Sequence, residues 1–432
     1  MNIIEKIKSI SLPALLFLLP WQTRYIWHLG ALNNRNWEYG TYSVYVTELL
    51  LWFAAIVFAI DYFWIKKQRL PALNARLKIA LFIFFGLVVL SAVLSSNQFV
   101  SYYFLLRLWE GLMLYGIIRV SNIAFSSASG VMLAGGVVQG AMAIYQFLSQ
   151  QISAHSWLGI ASQQALNGGA SVIEFADQRW LRAYGSFGSP NSLGIYLAVV
   201  FILTLVLYVK TTIPWHKIII SVGQLFVLSG LLLSFSRGAW VAAVAGLISL
   251  AAILFFKQKE SVRDFVKQIF FSLGVILFWV LIFYPVFSAR FNIYNRLEAR
   301  SVAERAGQYR DAELFVAAHP WLGVGPGAYT YAVYQKYNKL ESWQYQPVHN
   351  IYMLMATELG LVAALLFMLW LLLVVRDVYR FNIMYLPVLI SLLCAGLFDH
   401  WLVSMFSGIL LWWVGLGISN IAQDIAKKPY SR

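Results

Sequence analysis

The chain has 432 residues, of which 60% are hydrophobic and only 12% are charged. Soluble domains carry about twice that charged fraction, so the composition excludes an ordinary soluble enzyme and favours a membrane protein. A net charge of +14 would suggest a nucleic-acid partner in a soluble protein, but here the Lys and Arg residues stand between long apolar runs. We interpret them as charges that orient membrane spans, and we predict no nucleic-acid partner.

Apolar runs recur at the length of about 20 residues that a helix needs to cross a bilayer. They predict an all-α, polytopic integral membrane protein whose residues 1–432 form a single transmembrane domain. The basic N-terminus resembles a signal peptide but has no small-residue cleavage site before Trp21, so we interpret it as a retained first helix. The twelve predicted spans lie near 10–28, 42–65, 77–96, 102–120, 128–149, 190–210, 216–236, 238–256, 268–288, 349–375, 382–400 and 403–422.

Basic residues follow nearly every even-numbered span. If Lys6 and Lys8 lie in the cytoplasm, the segments that follow the even-numbered spans all fall on the cytoplasmic side, as the positive-inside rule requires. The basic residues of these segments are Lys66, Lys67, Arg69, Arg76, Lys78, Arg119, Lys210, Lys217, Lys257, Lys259, Arg263, Lys267, Arg376, Arg380, Lys427, Lys428 and Arg432. The sequence therefore predicts twelve spans with both termini in the cytoplasm.

Two predicted outer loops are long, 150–189 and the larger 289–348 between spans nine and ten. Long loops are translocated regardless of their charge, so basic residues are permitted there, but they gain nothing from topology. The larger loop carries Arg290, Arg296, Arg300, Arg305 and Arg310. A helix is predicted over 301–318, with Ser301 and Glu304 as a capping box, and a glycine-rich loop over 323–327 follows it.

Four polar motifs fall at the predicted outer ends of spans, although they are far apart in sequence. They are Arg182 to Asn191, Ser234 to Gly238, Glu304-Arg305, and Pro347 to Asn350 with Glu358 about two turns further on. Arginine donates bidentate hydrogen bonds to phosphate and stays charged at any working pH. Arg237 is therefore the strongest candidate for anion binding, with an interfacial arginine as the alternative. Arg305 and Arg182 are weaker candidates, because each is also explained by a solvated surface or an ion pair.

His349 stands at the start of a predicted helix and could accept a proton near neutral pH. A structural histidine is the alternative. His400 follows Asp399, whose carboxylate could orient an imidazole, so His400 is the second candidate for the base.

Several familiar sites are absent from the sequence. We find no glycine-rich phosphate loop between a strand and a helix, so a nucleotide is not expected. Neither Asp-x-Asp on the outer loops nor a His/Asp cluster with metal spacing is present, so no metal or other cofactor is predicted. Cys394 is the single cysteine and excludes an intrachain disulfide.

The motifs together resemble the O-antigen ligase and polymerase superfamily of bacterial envelope enzymes. The similarity runs through Tyr184-Gly185-Ser186-Phe187 to Pro190-Asn191, Ser234-Phe235-Ser236-Arg237-Gly238, Arg305, Pro320 to Gly327, and His349-Asn350 to Glu358-Leu359-Gly360. The first 180 residues agree with the superfamily only in hydropathy. The resemblance does not separate a ligase from a polymerase or a protein O-glycosylase.

The resemblance implies glycosyl transfer at the periplasmic face of the bacterial inner membrane. The implied donor is a glycan on undecaprenyl diphosphate, and the implied ligase acceptor is a sugar hydroxyl of lipid A–core. Arg237 and Arg305 would hold the diphosphate without a metal ion, and His349 would take the acceptor proton, with inversion at the anomeric centre. Further residues that would contact the substrates are Arg182, Asn191, Ser236, Arg310, Asn350 and Glu358.

A secondary transporter or lipid-linked glycan flippase is the alternative from another class, because twelve spans with both termini inside suit it equally well. Transporters usually place ionisable groups near the bilayer midplane in two similar halves. Here the two halves do not resemble each other, and the acidic candidates of the first half are Glu48 and Glu110 alone.

Overall fold

The computed structural model describes residues 3–67, 75–121, 123–175, 178–292 and 294–426. Within these ranges it is mainly helical. The α-helices are α1 Ile3–Leu18, α2 Val46–Ala59, α3 Ala75–Val93, α4 Gln98–Val120, α5 Phe125–Ser149, α6 Pro190–Lys210, α7 Pro214–Leu233, α8 Arg237–Lys257, α9 Val262–Ile282, α10 Tyr284–Phe291, α11 Arg296–Ala318, α12 Tyr329–Lys336, α13 Ile351–Phe381, α14 Leu386–Ala395, α15 Trp401–Ser404 and α16 Phe406–Ala426. A π-helical turn, Ile60–Ile65, continues α2.

Four antiparallel pairs of short strands lie in the connections between helices, so the all-α prediction holds for the spanning part of the chain and not for its loops. β1 pairs with β4, β2 with β3, β5 with β6, and β7 with β8. The strands are β1 Arg24–His28, β2 Ala31–Leu32, β3 Arg35–Asn36, β4 Tyr42–Tyr45, β5 Gln151–Ile152, β6 Gln163–Gln164, β7 Val172–Phe175 and β8 Gln178–Leu181.

Seven helices of the described residues are long and apolar enough to cross a membrane, and three shorter apolar helices accompany them. The chain is therefore an all-α membrane protein, while the count of twelve spans stays a prediction. The seven are Val46–Ile65, Phe125–Ser149, Pro190–Lys210, Pro214–Leu233, Arg237–Lys257, Lys259–Ile282 and Ile351–Phe381. Of the predicted cytoplasmic charges, Arg69, Lys427, Lys428 and Arg432 lie outside the described residues.

Several predicted boundaries are wrong. The first span was predicted over 10–28, but α1 ends at Leu18 and Arg24 begins a strand that pairs with Tyr45. The backbone after Pro20 therefore finds its hydrogen bonds across a hairpin and not within a helix. The predicted start of a helix at Ser301 is also wrong, because α11 begins at Arg296 and Ser301 lies inside it. The proposed capping box is consequently not formed.

Helix α6 lies at the centre of the bundle. All of its apolar window is buried within the protein, and it packs against α5, α7, α8 and α14. Its start is well defined, since Pro190 occupies the first turn and the Ser189 hydroxyl accepts a hydrogen bond from the Ser192 amide at 3.2 Å. This rigid N-terminus carries Asn191 into the region described below.

Helix α13 is interrupted at Gly360, whose φ of 82° and ψ of 168° are not helical. The loop after α11 fills the interruption. The Gly325 amide donates to the Glu358 carbonyl at 3.0 Å, and the Leu361 amide donates to the Pro320 carbonyl at 2.8 Å. Backbone groups released by the interruption thus regain partners, as they must inside a membrane protein. The glycine-rich loop is therefore a structural brace for α13.

Charges that intrude into the first half of the chain are paired with each other. Arg107 contacts Glu48 at 2.8 Å and Glu110 at 2.7 Å, and all three side chains are buried. The Arg107 guanidinium also donates to the Ser43 carbonyl at 2.6 Å. These contacts give Glu48 and Glu110 a structural role that links α2 to α4.

Candidate active site

The tight turn between α7 and α8 presents Arg237 as the first residue of α8. Phe235 in this turn has a positive φ of 48°, an uncommon conformation for a side chain of its size. Two arginines brace the turn from outside: Arg182 donates to the Ser234 carbonyl at 2.8 Å, and Arg290 donates to the Phe235 carbonyl at 2.9 Å. The strained turn is therefore fixed by the same residues that surround Arg237.

Four arginines line a cavity of about 170 Å³, which we call the arginine cavity. They come from the connection between α5 and α6 and from three different helices, and they are Arg182, Arg237, Arg290 and Arg305. One buried carboxylate, Glu298, stands among them, 2.8 Å from Arg237 and in contact with Arg290. Ser236 also lines the cavity. Asp399 also lines the cavity, so four arginines face two carboxylates and the cluster carries a net positive charge.

Crowding of cations is visible in the electrostatics of the arginine cavity. Burial lowers the pKa of Arg182 well below its usual value, and the nearby charge of Arg290 lowers it further. Burial also lowers the pKa of Arg290, and Arg237 and Arg305 add to this effect against the opposing influence of Glu298. An anion entering the cavity would relieve this repulsion. Phosphate is well suited, because guanidinium groups bind it bidentately.

Helix α11 contributes to the arginine cavity through one face. Glu298, Ser301 and Arg305 line the cavity, and their spacing of three and four residues places them in a row. Arg310 follows Arg305 by five residues and therefore points away from that row. It is exposed and lines none of the cavities described here. The structure thus brings Arg305 to the site and leaves Arg310 outside it.

A second cavity, of about 550 Å³, contains His349 and is called the histidine cavity. The His349 side chain is 16% exposed, and its Nδ1 lies 3.6 Å from the Asp399 carboxylate. The His400 ring centroid lies 5.0 Å from that of His349. His400 Nδ1 lies 2.6 Å from the Ser404 hydroxyl. Asp399 therefore faces His349, and His400 packs beside the pair.

Asp399 is buried, which disfavours its charge, but the contact with His349 and the nearby His400 outweigh burial and hold the pKa of its carboxyl below the usual range. The Trp401 amide also donates to this carboxylate at 2.9 Å. Burial, opposed by Asp399, lowers the pKa of His400 to about 3. His400 is consequently neutral at physiological pH, and its buried ring is a poorer candidate for a base than His349.

The two cavities meet at Asn191 and Asp399, which line both of them together with Ser171. Arg182 donates to the Asn191 side-chain oxygen at 2.8 Å, and the Asn191 amide donates to Asp399 at 3.3 Å. A continuous polar chain thus runs from the arginine cavity through Asn191 and Asp399 to His349. Residues from distant parts of the sequence are brought together along this chain.

His349, Asp399 and His400 also form a group that could hold a metal ion, since one ligand atom from each lies within 4.8 Å of the others. A metal-ligand spacing is not apparent in the sequence because Asp399 and His400 are neighbours in the chain and His349 is fifty positions away. Two imidazoles and a carboxylate suit a transition metal. They suit an oriented general base equally well.

Two further predicted substrate contacts have other partners in the structure. The Asn350 side chain caps α13 by accepting hydrogen bonds from the Tyr352 and Met353 amides, and Asn350 lines neither cavity. The Glu358 carboxylate accepts hydrogen bonds from the Gly327 and Tyr329 amides, so it secures the glycine-rich loop. Both side chains therefore stabilise the backbone of elements near the site and do not line either of the two cavities.

Sequence reasoning missed Glu298 and did not single out Arg290 among the arginines of the larger loop. Placing the start of α11 at Arg296 would have revealed Glu298, because it lies one and two turns before Ser301 and Arg305 on the same face. Asp399 was considered only as a partner of His400. Its contact with His349 joins α13 to the connection before α15, and no local pattern in the sequence indicates it.

Comparison with known proteins agrees with the motifs. The family model described as O-antigen ligase matches residues 222–368, about a third of the chain. That segment contains Arg237, Glu298, Arg305 and His349, whereas Asn191 and Asp399 lie outside it. No curated protein matches the chain. The resemblance to the superfamily is confirmed by this match, which supports a membrane enzyme of the ligase and polymerase type.

Proposed function

Starting from the match to the O-antigen ligase family, we propose that this protein transfers a glycan from undecaprenyl diphosphate to an acceptor hydroxyl without a metal ion. The junction of the two cavities at Asn191 and Asp399 carries the proposal. It would put a diphosphate on the arginine side and an acceptor hydroxyl on the histidine side. The reacting anomeric carbon would then lie between them, and attack opposite the leaving group would invert it.

The arginines would supply positive charge to stabilise the diphosphate leaving group. As the bond between the anomeric carbon and the diphosphate oxygen breaks, its electron pair stays on the diphosphate and negative charge grows there. Arg237 and Arg305 would receive that charge, with Arg182 and Arg290 holding the turn that positions Arg237. Preorganised donors of this kind contribute about 10²–10³ in rate each in other enzymes.

His349 would act as the general base. The acceptor oxygen forms the new bond to the anomeric carbon while its proton moves to the His349 imidazole. The Asp399 carboxylate, 3.6 Å from Nδ1, would stabilise the imidazolium that results. A distance slightly longer than a hydrogen bond is common before substrate binds. Asn191 links this pair to Arg182, so base and anion site would keep a fixed separation.

The ligase reaction, with lipid A–core as the acceptor in lipopolysaccharide biosynthesis, is the branch that we propose. Its setting would be the periplasmic face of the bacterial inner membrane, because the predicted topology puts Arg237, Arg305 and His349 there. A polymerase or protein O-glycosylase would use the same two cavities and differ only in the acceptor. These branches are separated by the acceptor used in the assay.

Purified full-length protein in detergent tests the proposal. It should transfer glycan from undecaprenyl diphosphate-linked donor to lipid A–core, and EDTA should leave the rate unchanged. Lipid-linked repeat units and Ser/Thr peptides serve as the competing acceptors. Absence of transfer to every acceptor would contradict the proposal and favour the flippase. A rate abolished by EDTA and restored by a transition metal would instead assign a metal to His349, Asp399 and His400.

A further inference from the structure

Some of the residues that line the histidine cavity lie outside the segment that the family model matches. Part of the cavity wall is formed by residues from 22–45 and from 152–163, whereas the matched segment covers 222–368. A volume of about 550 Å³ is within the range of small-molecule binding sites. His349 lines the cavity, so a molecule bound there would lie close to the proposed base.

The hairpin of β1 and β4 builds this wall. Arg24 on β1 pairs with Tyr45 on β4. The Arg24 guanidinium donates two hydrogen bonds, of 2.6 and 3.0 Å, to the Glu38 carboxylate. Tyr39 follows directly, and its hydroxyl lies 3.5 Å from His400 Nε2. The hairpin is therefore tied to the histidine cluster, and Arg24 is already neutralised by its own partner.

Charge distinguishes the two cavities sharply. The arginine cavity offers four arginines against the carboxylates of Glu298 and Asp399. Arg24 is the one Lys or Arg residue among the described residues that line the histidine cavity, and it is paired with Glu38. The second carboxylate of this cavity is that of Asp399, which faces His349. A phosphorylated or otherwise anionic group would find no available cation there. It would also be repelled by Asp399.

The remaining lining has the character of a carbohydrate site. Amide side chains that both donate and accept hydrogen bonds come from Gln22, Gln163 and Gln346. Aromatic rings come from Tyr39 and Trp401, and such rings pack against the apolar face of a sugar. These groups can satisfy several hydroxyls without a charge on the ligand.

We infer that the histidine cavity is the acceptor subsite and takes a neutral saccharide, selected by Arg24, Glu38 and Tyr39. The inference rests on the proposed function and adds that the acceptor sugar is uncharged and that residues of the hairpin select it. The hydroxyl that reacts belongs to an uncharged sugar ring held between the hairpin and His349. Selectivity for the acceptor thus lies outside the segment that the family model matches.

Saturation-transfer NMR on the purified full-length chain in detergent tests this assignment. The probes are the neutral methyl glycosides of glucose, galactose and mannose, the 6-phosphates of the same sugars, and inorganic diphosphate. We expect at least one neutral glycoside to receive saturation, its phosphate to receive at least threefold less, and Glu38→Gln and Tyr39→Ala each to reduce the glycoside signal at least threefold. Arg376→Ala, a distant exposed arginine, is the control and should change nothing.

Two results overturn the inference in distinguishable ways. If diphosphate binds and Arg237→Ala abolishes its signal, but no neutral glycoside binds or the phosphates bind equally well, the acceptor assignment fails and the proposed function stands. If diphosphate shows no Arg237-dependent signal either, the proposed function fails with it. Tyr39→Phe keeps the ring and provides a second variant should Tyr39→Ala not fold.

Discussion

Asp399 is the residue on which the two halves of the site depend. It lines both cavities, accepts a hydrogen bond from Asn191 and faces His349. Its neighbours keep its carboxyl ionised in spite of burial. An ionised carboxylate beside an imidazole favours the protonated ring that a general base becomes. In the proposed mechanism Asp399 is therefore a positioning residue that acts through His349.

Replacing Asp399 with Asn tests this role while keeping its shape. We expect transfer to fall at least about tenfold, within the roughly 10²–10⁴-fold that a general base contributes. The exposed Asp377→Asn is the matched control and should leave the rate unchanged. Transfer at the wild-type rate by Asp399→Asn would contradict the assignment.

His400 predicts a pH dependence of stability. Its pKa of about 3 in the folded protein lies below the ordinary value of about 6.5, so the unfolded chain binds a proton between these values and the folded chain does not. The free energy of unfolding should therefore decrease as pH falls from about 6.5. His400→Gln removes this contribution, and its melting temperature in detergent should fall less between pH 7 and 4 than that of the wild type. Parallel curves would show that His400 does not titrate in this way.

At the residue scale, the sequence could identify Arg237 and His349 because their chemistry is unusual at the ends of apolar runs. It could not separate Arg305 from Arg310, since only the helix face decides which one reaches the cavity. The roles of Asn350 and Glu358 were equally hidden. A polar side chain near a site can serve the backbone, and here both residues satisfy main-chain amides.

Among the elements, α13 and the glycine-rich loop form one unit. The interruption at Gly360 and the loop around Gly325 exchange hydrogen bonds, and Glu358 secures the loop through its carboxylate. His349 stands two residues before α13 begins, so its position depends on where this helix is held. The sequence motif around the glycines was visible, but its bracing role follows only from the contact between elements that are more than thirty residues apart.

Gly360→Ala tests the brace. The added Cβ would lie 2.3 Å from the Trp321 carbonyl oxygen, and the positive φ of 82° is unfavourable for alanine. Strain of this kind costs about 1–3 kcal/mol before the clash is counted, so the melting temperature in detergent should fall markedly. Gly307→Ala in α11 is the matched control, because its Cβ meets nothing within 4 Å and alanine favours a helix by about 0.5–1 kcal/mol. Equal melting temperatures for the two variants would refute the brace.

Helix boundaries show what sequence patterns can and cannot give. Apolar runs located the long helices well, as in α6 and α13, because burial in a bilayer or a bundle core demands such runs. They failed near Arg24, where an apolar and aromatic stretch forms a hairpin instead. Both structures satisfy the backbone, and only the pairing with residues 42–45 decides between them.

On the scale of the whole molecule, the site is assembled from parts with different origins. The matched segment supplies Arg237, Arg305 and His349, while the hairpin, the connection between α5 and α6, the start of α6 and the region around Asp399 supply other parts of the walls. Their convergence could not be predicted from topology, which gives the side of the membrane and not proximity. Both cavities are lined in part by residues of the long connections, which lie on the outer side in the predicted topology.

Cysteine labelling tests that orientation. In a Cys394→Ser background, a cysteine at Arg310 in α11 should react with a membrane-impermeant maleimide added to intact spheroplasts, and a cysteine at Lys259 between α8 and α9 should react only after lysis. The predicted topology places these positions on opposite sides. The reverse pattern would put the proposed active site in the cytoplasm and remove the basis for a periplasmic reaction.

The most direct measurement separates binding of the leaving group from chemistry in matched variants. Undecaprenyl diphosphate binding and glycan transfer are measured side by side for Arg237→Ala, His349→Ala and, as a control outside both cavities, Arg310→Ala. We predict that Arg237→Ala loses both binding and at least about 10²-fold in transfer, that His349→Ala loses transfer and binds normally, and that Arg310→Ala retains both. Normal binding by Arg237→Ala, or transfer at the wild-type rate by His349→Ala, would contradict the division of labour between the two cavities.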